Sequence, residues 1–260
     1  MSEVGFDYLE HLVTVPVTVG AIETRFILDS GIGLSLVREE LAESAGVAPN
    51  DRSFTGRRMS GQAVTLPLGE VAVTFAGSTV ERHGVGILDM SSFPDALAGI
   101  GGFLSLAFFA EQPFTVDYVR QVVALEPGEG VSVPVTVERD GPSVTVFMAL
   151  TVPGDRSISV EVDMGSDELI LDERLAPETG AALQGDGVRR VDGTDETGHE
   201  YTRTFTRLAG AIFPTAAPEL RQDDPDVMFQ RIIHDGLLGD AFLRRHVVTF
   251  DVAEERMVFG

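Results

Sequence analysis

The 260-residue chain contains no cysteine and no lysine, so that all nineteen of its basic residues are arginine. The absence of cysteine excludes disulfides, zinc–thiolate sites and cysteine nucleophiles. The absence of lysine excludes a P-loop lysine, a Schiff-base lysine and a Ser–Lys dyad. Basic residues are also outnumbered by acidic ones, and the formal net charge of -22 argues against nucleic acid and anionic membrane surfaces as partners.

Long hydrophobic runs are absent as well. The longest apolar stretches fall far short of the roughly 20 residues that a membrane helix needs, and residues 1–10 lack the apolar core of a signal peptide. The five histidines show no HxH or HExxH spacing, and no Gly-x-Ser-x-Gly elbow occurs. We therefore expect a cytoplasmic protein without a metal site, a cofactor, a membrane or a nucleic-acid partner.

The sequence is instead rich in short strand-like segments separated by turns. Its 28 glycines and 13 prolines, with 43% apolar residues, are typical of many strands joined by turns. Apolar residues alternate with a period of two over residues 71–75, 131–137 and 144–148. Helical patterns are few and short: residues 38–45, the segment after Gly102, and residues 240–245. These patterns predict an all-β fold with a few short helices.

The chain repeats itself at a constant offset. In each half, a strand, a turn and a second strand end in Asp-x-Gly, at Asp29 in the first half and at Asp163 in the second. The offset between these two residues also separates Asp117 from Asp251, each at the end of a later apolar strand. Several matches at one offset indicate an internal duplication.

Two motifs, each present once in either half, resemble those of the retropepsin-like aspartic peptidases. The first is Asp-x-Gly at the end of an apolar strand, and the second is an apolar-glycine segment that leads into a short helix. They occupy Asp29-Ser30-Gly31 and residues 97–104 in the first half, and Asp163-Met164-Gly165 and residues 235–245 in the second. The resemblance covers nearly the whole chain.

This resemblance implies two acid-protease-like β-barrel lobes, residues 1–127 and 128–260, related by a pseudo-two-fold axis and joined by a Gly- and Pro-containing linker near residues 127–131. It implies that Asp29 and Asp163 are catalytic and face each other within one chain, so that a monomer suffices. Two carboxylates about 3 Å apart cannot both ionise and therefore share one proton. The expected activity is that of an aspartic endopeptidase, in which the ionised carboxyl activates water and the protonated one donates to the developing oxyanion.

The two loops are also expected to support the catalytic pair through Ser30, Gly31, Met164, Gly165 and Ser166. In the family, a hydroxyl next to the catalytic Asp bonds the backbone of the opposite lobe; Ser30 can supply such a bond, whereas Met164 cannot. Ser166 still offers a hydroxyl near the second Asp. Ile32 also departs from the family, which has a small residue there. The alternative function is therefore a degenerate pseudopeptidase that binds extended peptides, or acts as a scaffold, without turnover.

A β-hairpin from each lobe is expected to close over an extended peptide or protein substrate as a flap. We place these flaps at residues 59–62 and 192–201. The residues predicted to contact substrate are Met59, Ser60, Gly61, Asp192, Gly193 and Thr194.

Other polar residues have simpler interpretations. Asp117 and Asp251 are expected in hairpin turns, because Asp favours turns by bonding its own backbone. The acidic segment 223–226 lacks the alternating spacing of a calcium loop and is expected to be a solvated loop. His234, beside Asp235, is expected to pack or cap and not to act as a catalytic base.

Overall fold

The computed structural model describes residues 2–47, 49–194 and 199–260. Over these residues the chain is mostly β-strand, and its two α-helices are short, which confirms the prediction of an all-β fold. The helices are α1 (Glu39–Ser44) and α2 (Asp240–Leu243), and 3-10 turns lie at Asp95–Leu97, Leu106–Phe109, Glu173–Leu175 and Pro218–Leu220. The strands are β1 (Glu3–Gly5), β2 (Asp7–Leu9), β3 (Leu12–Val19), β4 (Ile22–Leu28), β5 (Leu36–Arg38), β6 (Ser53–Arg57), β7 (Ala63–Phe75), β8 (Ser78–Leu88), β9 (Ile100–Leu104), β10 (Phe114–Asp117), β11 (Val122–Ala124), β12 (Val131–Pro134), β13 (Thr136–Asp140), β14 (Ser143–Val152), β15 (Arg156–Val162), β16 (Leu169–Asp172), β17 (Arg189–Thr194), β18 (Glu200–Arg207), β19 (Ala211–Pro214), β20 (Gln222–Asp223), β21 (Asp226–Gln230), β22 (Gly236–Leu238), β23 (Val247–Asp251) and β24 (Arg256–Phe259).

The helical segments lie close to where the sequence predicts them. The patterns at residues 38–45 and 240–245 correspond to α1 and α2. The segment after Gly102 completes β9 and then forms the 3-10 turn Leu106–Phe109, in which the N–H of Ala107 donates to the hydroxyl of Ser105. Among the described residues, no helix has the length and apolar character needed to cross a membrane.

An eight-stranded sheet is built from the first half of the chain, in the order β2-β3-β4-β9-β5-β8-β7-β6. Strand β3 pairs with β7 as well as β4, so strands from distant parts of this sheet meet. Strand β4 runs parallel to β9, and Leu28 lies opposite Leu104 at the carboxyl ends of both strands. This pairing fixes the position of Asp29, the residue that follows β4.

A ten-stranded sheet is built from the second half, in the order β17-β18-β21-β16-β22-β15-β14-β19-β20, with β13 paired to β14. Here β15 runs parallel to β22, and Val162 lies opposite Leu238. The residue after β15 is therefore held at the end of a parallel strand pair, as is the residue after β4.

A third sheet combines strands from both halves, in the order β1-β11-β10-β23-β24-β12. Its centre is the antiparallel pair β10 and β23, where Thr115 lies opposite Thr249 and their hydroxyl oxygens are 2.7 Å apart. The buried rings of Phe114 and Phe250 stack beside them with centroids 5.0 Å apart. One hydrophobic core runs continuously between this sheet and the other two.

Two smaller apolar clusters lie outside that core. The first-half cluster contains Ile27, Leu34, Leu36 and Phe103 together with neighbouring apolar side chains. The second-half cluster contains Ile170, Met228, Ile232 and Leu237.

Candidate active site

Asp29 and Asp163 occupy the ends of β4 and β15, which are the positions that the parallel strand pairs fix. The N–H of Asp29 donates to the carbonyl of Leu104, and the N–H of Asp163 donates to the carbonyl of Leu238, both at 3.0 Å. Each carboxylate then accepts a hydrogen bond from the glycine two residues later, at 2.9 Å from Gly31 and 2.8 Å from Gly165. The two loops are thus built in the same way.

The loops pack crosswise, with each glycine against the opposite carboxyl group. A Cβ atom placed on Gly165 would lie 2.6 Å from Oδ2 of Asp29. A Cβ atom on Gly31 would overlap the carboxyl group of Asp163 even more closely. Because real Cβ atoms do not approach other atoms below 3.0 Å, any side chain at either glycine would force the carboxyl groups apart.

The two carboxyl groups perturb one another. Burial and the nearby charge of Asp163 raise the pKa of Asp29 to about 8, against the opposing effect of backbone N–H groups. Burial also raises the pKa of Asp163, but four groups oppose this effect: the Ser166 hydroxyl, the Gly165 amide, the Asp29 carboxyl and His11. The Ser166 hydroxyl donates to Oδ2 of Asp163 at 2.6 Å. The two carboxyl groups therefore share one proton over a wide pH range, and the Ser166 hydroxyl stabilises the ionised form of Asp163.

Ser30 joins the two loops through its side chain. Its buried hydroxyl donates to the carbonyl of Val162 at 2.7 Å and accepts from the N–H of Met164 at 2.9 Å. Met164, at the equivalent position of the second loop, is completely buried in the main core and has no hydroxyl to return such a bond. The connection between the loops through these side chains is therefore one-sided.

His11 is a site residue that the sequence did not reveal. Its Nε2 donates to the carbonyl of Gly165 at 3.1 Å, although the two residues belong to different halves of the chain. It therefore holds the second loop from outside, and its charge, when present, lowers the pKa of Asp163. No local pattern around His11 indicates this contact, because the partner is a backbone carbonyl from a distant segment.

Met59, Ser60 and Gly61 lie in the turn between β6 and β7, as the first flap prediction requires. The carbonyl of Met59 accepts from the N–H of Ile233 at 2.9 Å. The side chain of Met59 packs on the second-half cluster, which includes Ile232. This hairpin thus reaches from the first half of the chain over to the second.

Asp192, Gly193 and Thr194 form the end of β17, in the second predicted flap. They line a separate surface cavity of about 470 Å³ together with residues of β18, including Tyr201. Residues 195–198 of the predicted flap lie outside the described part of the chain. The cleft beside Asp29 and Asp163 has no lining residue from the described part of this hairpin, so its role over a substrate stays a prediction.

Both carboxyl groups open into a cleft of about 590 Å³. The first hairpin forms one wall, and β13, β14 and β15 contribute the opposite wall with several acidic side chains, among them Glu161. His234 also lines the cleft, with its Nε2 atom 3.6 Å from Oε2 of Glu161 and its ring edge-on to Phe147. His234 therefore packs as expected, but it does so inside the cleft.

Sequence analysis also missed Glu161, although one signal was present. Side chains two residues apart in a strand point to the same face. Glu161 lies two residues before Asp163, on the face of β15 opposite the buried Val160 and Val162. It therefore points into the cleft.

Asp117 and Asp251 have the turn roles expected of them, whereas the loop predicted at residues 223–226 is shorter: Asp223 ends β20 and Asp226 begins β21, because their backbones pair with β19 and β18. Asp117 accepts from two N–H groups of its own turn, and Asp251 accepts from the N–H of Glu254. Asp223 and Asp226 each pair with an arginine, Arg221 and Arg207 respectively. Within the described residues, no group of three or more His, Asp or Glu side chains is placed to hold a metal ion.

Comparisons with known proteins do not supply a name for this arrangement. No protein-family model matches the chain, and no curated protein matches it. What the site does is therefore inferred from its own geometry.

Proposed function

We propose that this protein is an aspartic endopeptidase that uses Asp29 and Asp163 as its catalytic pair. The observation that carries the proposal is the crossed packing of each Asp-x-Gly glycine against the opposite carboxyl group. That packing brings the carboxyl group of Asp29, which is half-buried, and that of Asp163, which is buried, close enough to share a proton. Retropepsin-like peptidases, which the sequence motifs resemble, use such a pair.

The chemistry then follows from the proton distribution. Ionised Asp163 takes a proton from a water molecule as its oxygen bonds to the peptide carbonyl carbon, while Asp29 donates its proton to the carbonyl oxygen. Asp163 then donates the proton that it took from water to the amide nitrogen, Asp29 takes a proton back from a hydroxyl of the tetrahedral intermediate, and the C–N bond breaks. Hydrogen bonds from the Gly31, Gly165 and Ser166 donors hold the two carboxylates in place throughout.

We also propose that the two halves, residues 1–127 and 128–260, are lobes related by a pseudo-two-fold axis. The strand order supports this: β2-β3-β4-β9-β5-β8-β7-β6 in the first half has the counterpart β13-β14-β15-β22-β16-β21-β18-β17 in the second. Contacts between residues at equivalent positions of the two halves also support it, because such an axis places equivalent residues together. Ser30 with Met164, and Thr115 with Thr249, are two of these contacts.

The substrate in this proposal is a peptide or unfolded protein segment in extended conformation. The first hairpin covers the cleft, and its strands are suited to pair with an extended chain. The carbonyl of Met59 that now accepts from Ile233 lies at the tip of that hairpin.

Cleavage of an unfolded protein and of a broad peptide library tests the proposal directly. We expect turnover that a statine-type inhibitor blocks, because such inhibitors mimic the tetrahedral intermediate. Asp29→Asn and Asp163→Asn should each lower kcat by several orders of magnitude, since either change removes half of the shared proton pair. Asp186→Asn, at an exposed position away from the cleft, is the matched control and should leave turnover unchanged. Absence of cleavage between pH 3 and 8 would contradict the proposal.

One observation favours a second function, a pseudopeptidase that binds extended peptides without turnover. Met164 fills the place of a bonding hydroxyl with a fully buried thioether, so the loops lack one of two connections. Peptides that bind in the cleft with no cleavage, and with affinity unaffected by Asp29→Asn, would establish this second function.

A further inference from the structure

Glu161 is the one acidic side chain of the cleft that is both buried and close to the catalytic pair. It is 6% exposed, lies on β15 between Phe147 and Leu237, and points into the cleft. Its carboxylate forms no hydrogen bond with any described residue, and the nearest candidate, His234, is 3.6 Å away, beyond hydrogen-bond length. A buried carboxylate without a partner is costly to ionise.

The acidic wall around Glu161 contributes negative charge, and the two arginines that line the cleft, Arg57 and Arg58, lie on the first hairpin. Burial and the nearby carboxyl groups of Asp163, Asp29 and Glu138 raise the pKa of Glu161 to about 8. His234 is neutral here, because burial lowers its pKa. Asp140 extends the acidic wall along β13. Burial and the neighbouring carboxyl groups therefore favour the protonated form of Glu161 at neutral pH, and the wall formed by β13, β14 and β15 contributes no cation to the cleft.

The residue of the first half equivalent to Glu161 is Ile27, which is apolar and not acidic. The sequence offset between the two catalytic Asp residues also separates Ile27 from Glu161 and Phe103 from Leu237. Ile27 lies opposite Phe103 on adjacent strands, just as Glu161 lies opposite Leu237. Ile27 packs in the first-half cluster, and side chains of that cluster line a cavity of about 250 Å³ next to the cleft that is mostly apolar, with Arg57 and Arg58 also in its lining. The two sides of the cleft thus offer one apolar and one acidic pocket.

We infer that Glu161 forms the floor of a subsite for a basic side chain, so that the enzyme selects peptides with arginine or lysine on one side of the scissile bond and a large apolar residue on the other. The inference rests on the proposed endopeptidase function for its cleavage readout. A guanidinium or ammonium group would supply the cation that the acidic wall lacks and would ionise Glu161 on binding. Glu138 and Asp140, at the cleft edge, would attract it from solvent.

Binding to an inactive chain separates this inference from the proposed function. The Asp29→Asn variant is titrated with extended peptides that carry Phe–Arg or Arg–Phe at the centre, and with the same peptides carrying neutral citrulline in place of arginine. We expect one arginine peptide to bind about ten- to a hundredfold more tightly than its citrulline analogue, as charge-assisted hydrogen bonds in a protected site allow. Adding Glu161→Gln should abolish this preference, and adding Glu219→Gln, the same change at an exposed site outside the cleft, should preserve it.

A proton count provides a second readout. At pH 7, binding of the arginine peptide should release a proton from Glu161, which calorimetry in buffers of different ionisation enthalpy detects, and the citrulline peptide should release none. Equal binding of arginine and citrulline peptides by a folded chain would overturn the inference, even if the wild-type chain cleaves both. Arginine-selective binding without cleavage by the wild-type chain would sustain the subsite and contradict the peptidase.

Discussion

At the scale of single residues, the unequal environments of Asp29 and Asp163 determine how the site responds to pH. Asp163 accepts hydrogen bonds from the Ser166 hydroxyl and the Gly165 amide, and His11 also lowers its pKa. The negative charge of Asp163, in contrast, raises the pKa of Asp29. This asymmetry is the basis for placing the shared proton on Asp29 in the proposed mechanism.

We predict a bell-shaped dependence of kcat/KM on pH. Activity should fall as pH rises through about 8, because Asp29 then loses the proton that it donates. It should also fall at acid pH as Asp163 becomes protonated, and this limb should lie above the ordinary Asp range because burial raises the pKa of Asp163. Initial rates on one neutral peptide across pH 3 to 10 measure both limbs.

The Ser166→Ala variant separates the two limbs. Loss of the hydroxyl that lowers the pKa of Asp163 should move the acid limb to higher pH and leave the alkaline limb in place. A shift of the alkaline limb alone would mean that the proton sits on Asp163 and would reverse the assignment of the two roles.

At the scale of elements, the proposed function requires the first hairpin to move when a substrate enters the cleft. Its turn is held by the hydrogen bond from Ile233 to Met59 and by the packing of Met59 on the second-half cluster. A substrate that pairs with the hairpin has to enter beneath these contacts, so they set an opening step before binding.

Met59→Ala should make that opening easier. Truncating the side chain removes its contacts with Ile232 and neighbours, and the N–H of Ile233 should then exchange with solvent about tenfold faster or more, since packing loss of this kind is worth one to a few kcal/mol. Hydrogen exchange measured by mass spectrometry reports the change. Thr55→Ala, at an exposed position of the same hairpin, should leave the hydrogen-exchange rate of the Ile233 N–H unaltered. An equal effect of both variants would show that the packing of Met59 does not hold the hairpin closed.

The elements near the catalytic pair could be predicted from sequence because their signals are local. An apolar strand ending in Asp-x-Gly, and an apolar-glycine segment before a short helix, place Asp29 and α2 within a residue or two. His11, Glu161 and His234 could not be placed in this way, because their partners come from distant segments. Strand alternation tells which face Glu161 occupies, but whether that face meets solvent or a cleft depends on how the sheets pack.

At the scale of the whole molecule, one chain contains everything that the proposed site needs. The two carboxyl groups come from equivalent positions in the two halves of one sequence, and the sheet that contains β10 and β23 joins these halves. No second copy is needed to complete the pair of carboxyl groups.

We therefore predict that activity per molecule is independent of protein concentration down to nanomolar levels. An equimolar mixture of the Asp29→Asn and Asp163→Asn chains should remain inactive, because no single chain in it has both carboxyl groups. Rates before and after prolonged mixing are the measurement. Recovered activity would show that catalytic pairs form between chains.

The shared sheet also dictates an order of events while the chain is being made. Strand β10 emerges from the ribosome long before β23, the strand that it must pair with. Until β23 is made, one edge of β10 is unpaired. A nascent chain that has not yet reached Asp163 cannot carry out the proposed cleavage, because Asp29 then lacks its partner. Joining such distant segments is a slow, late step of folding. In the proposed peptidase, the pair of carboxyl groups therefore forms only after the second half has been translated, and this delay follows from the topology without a separate inhibitor.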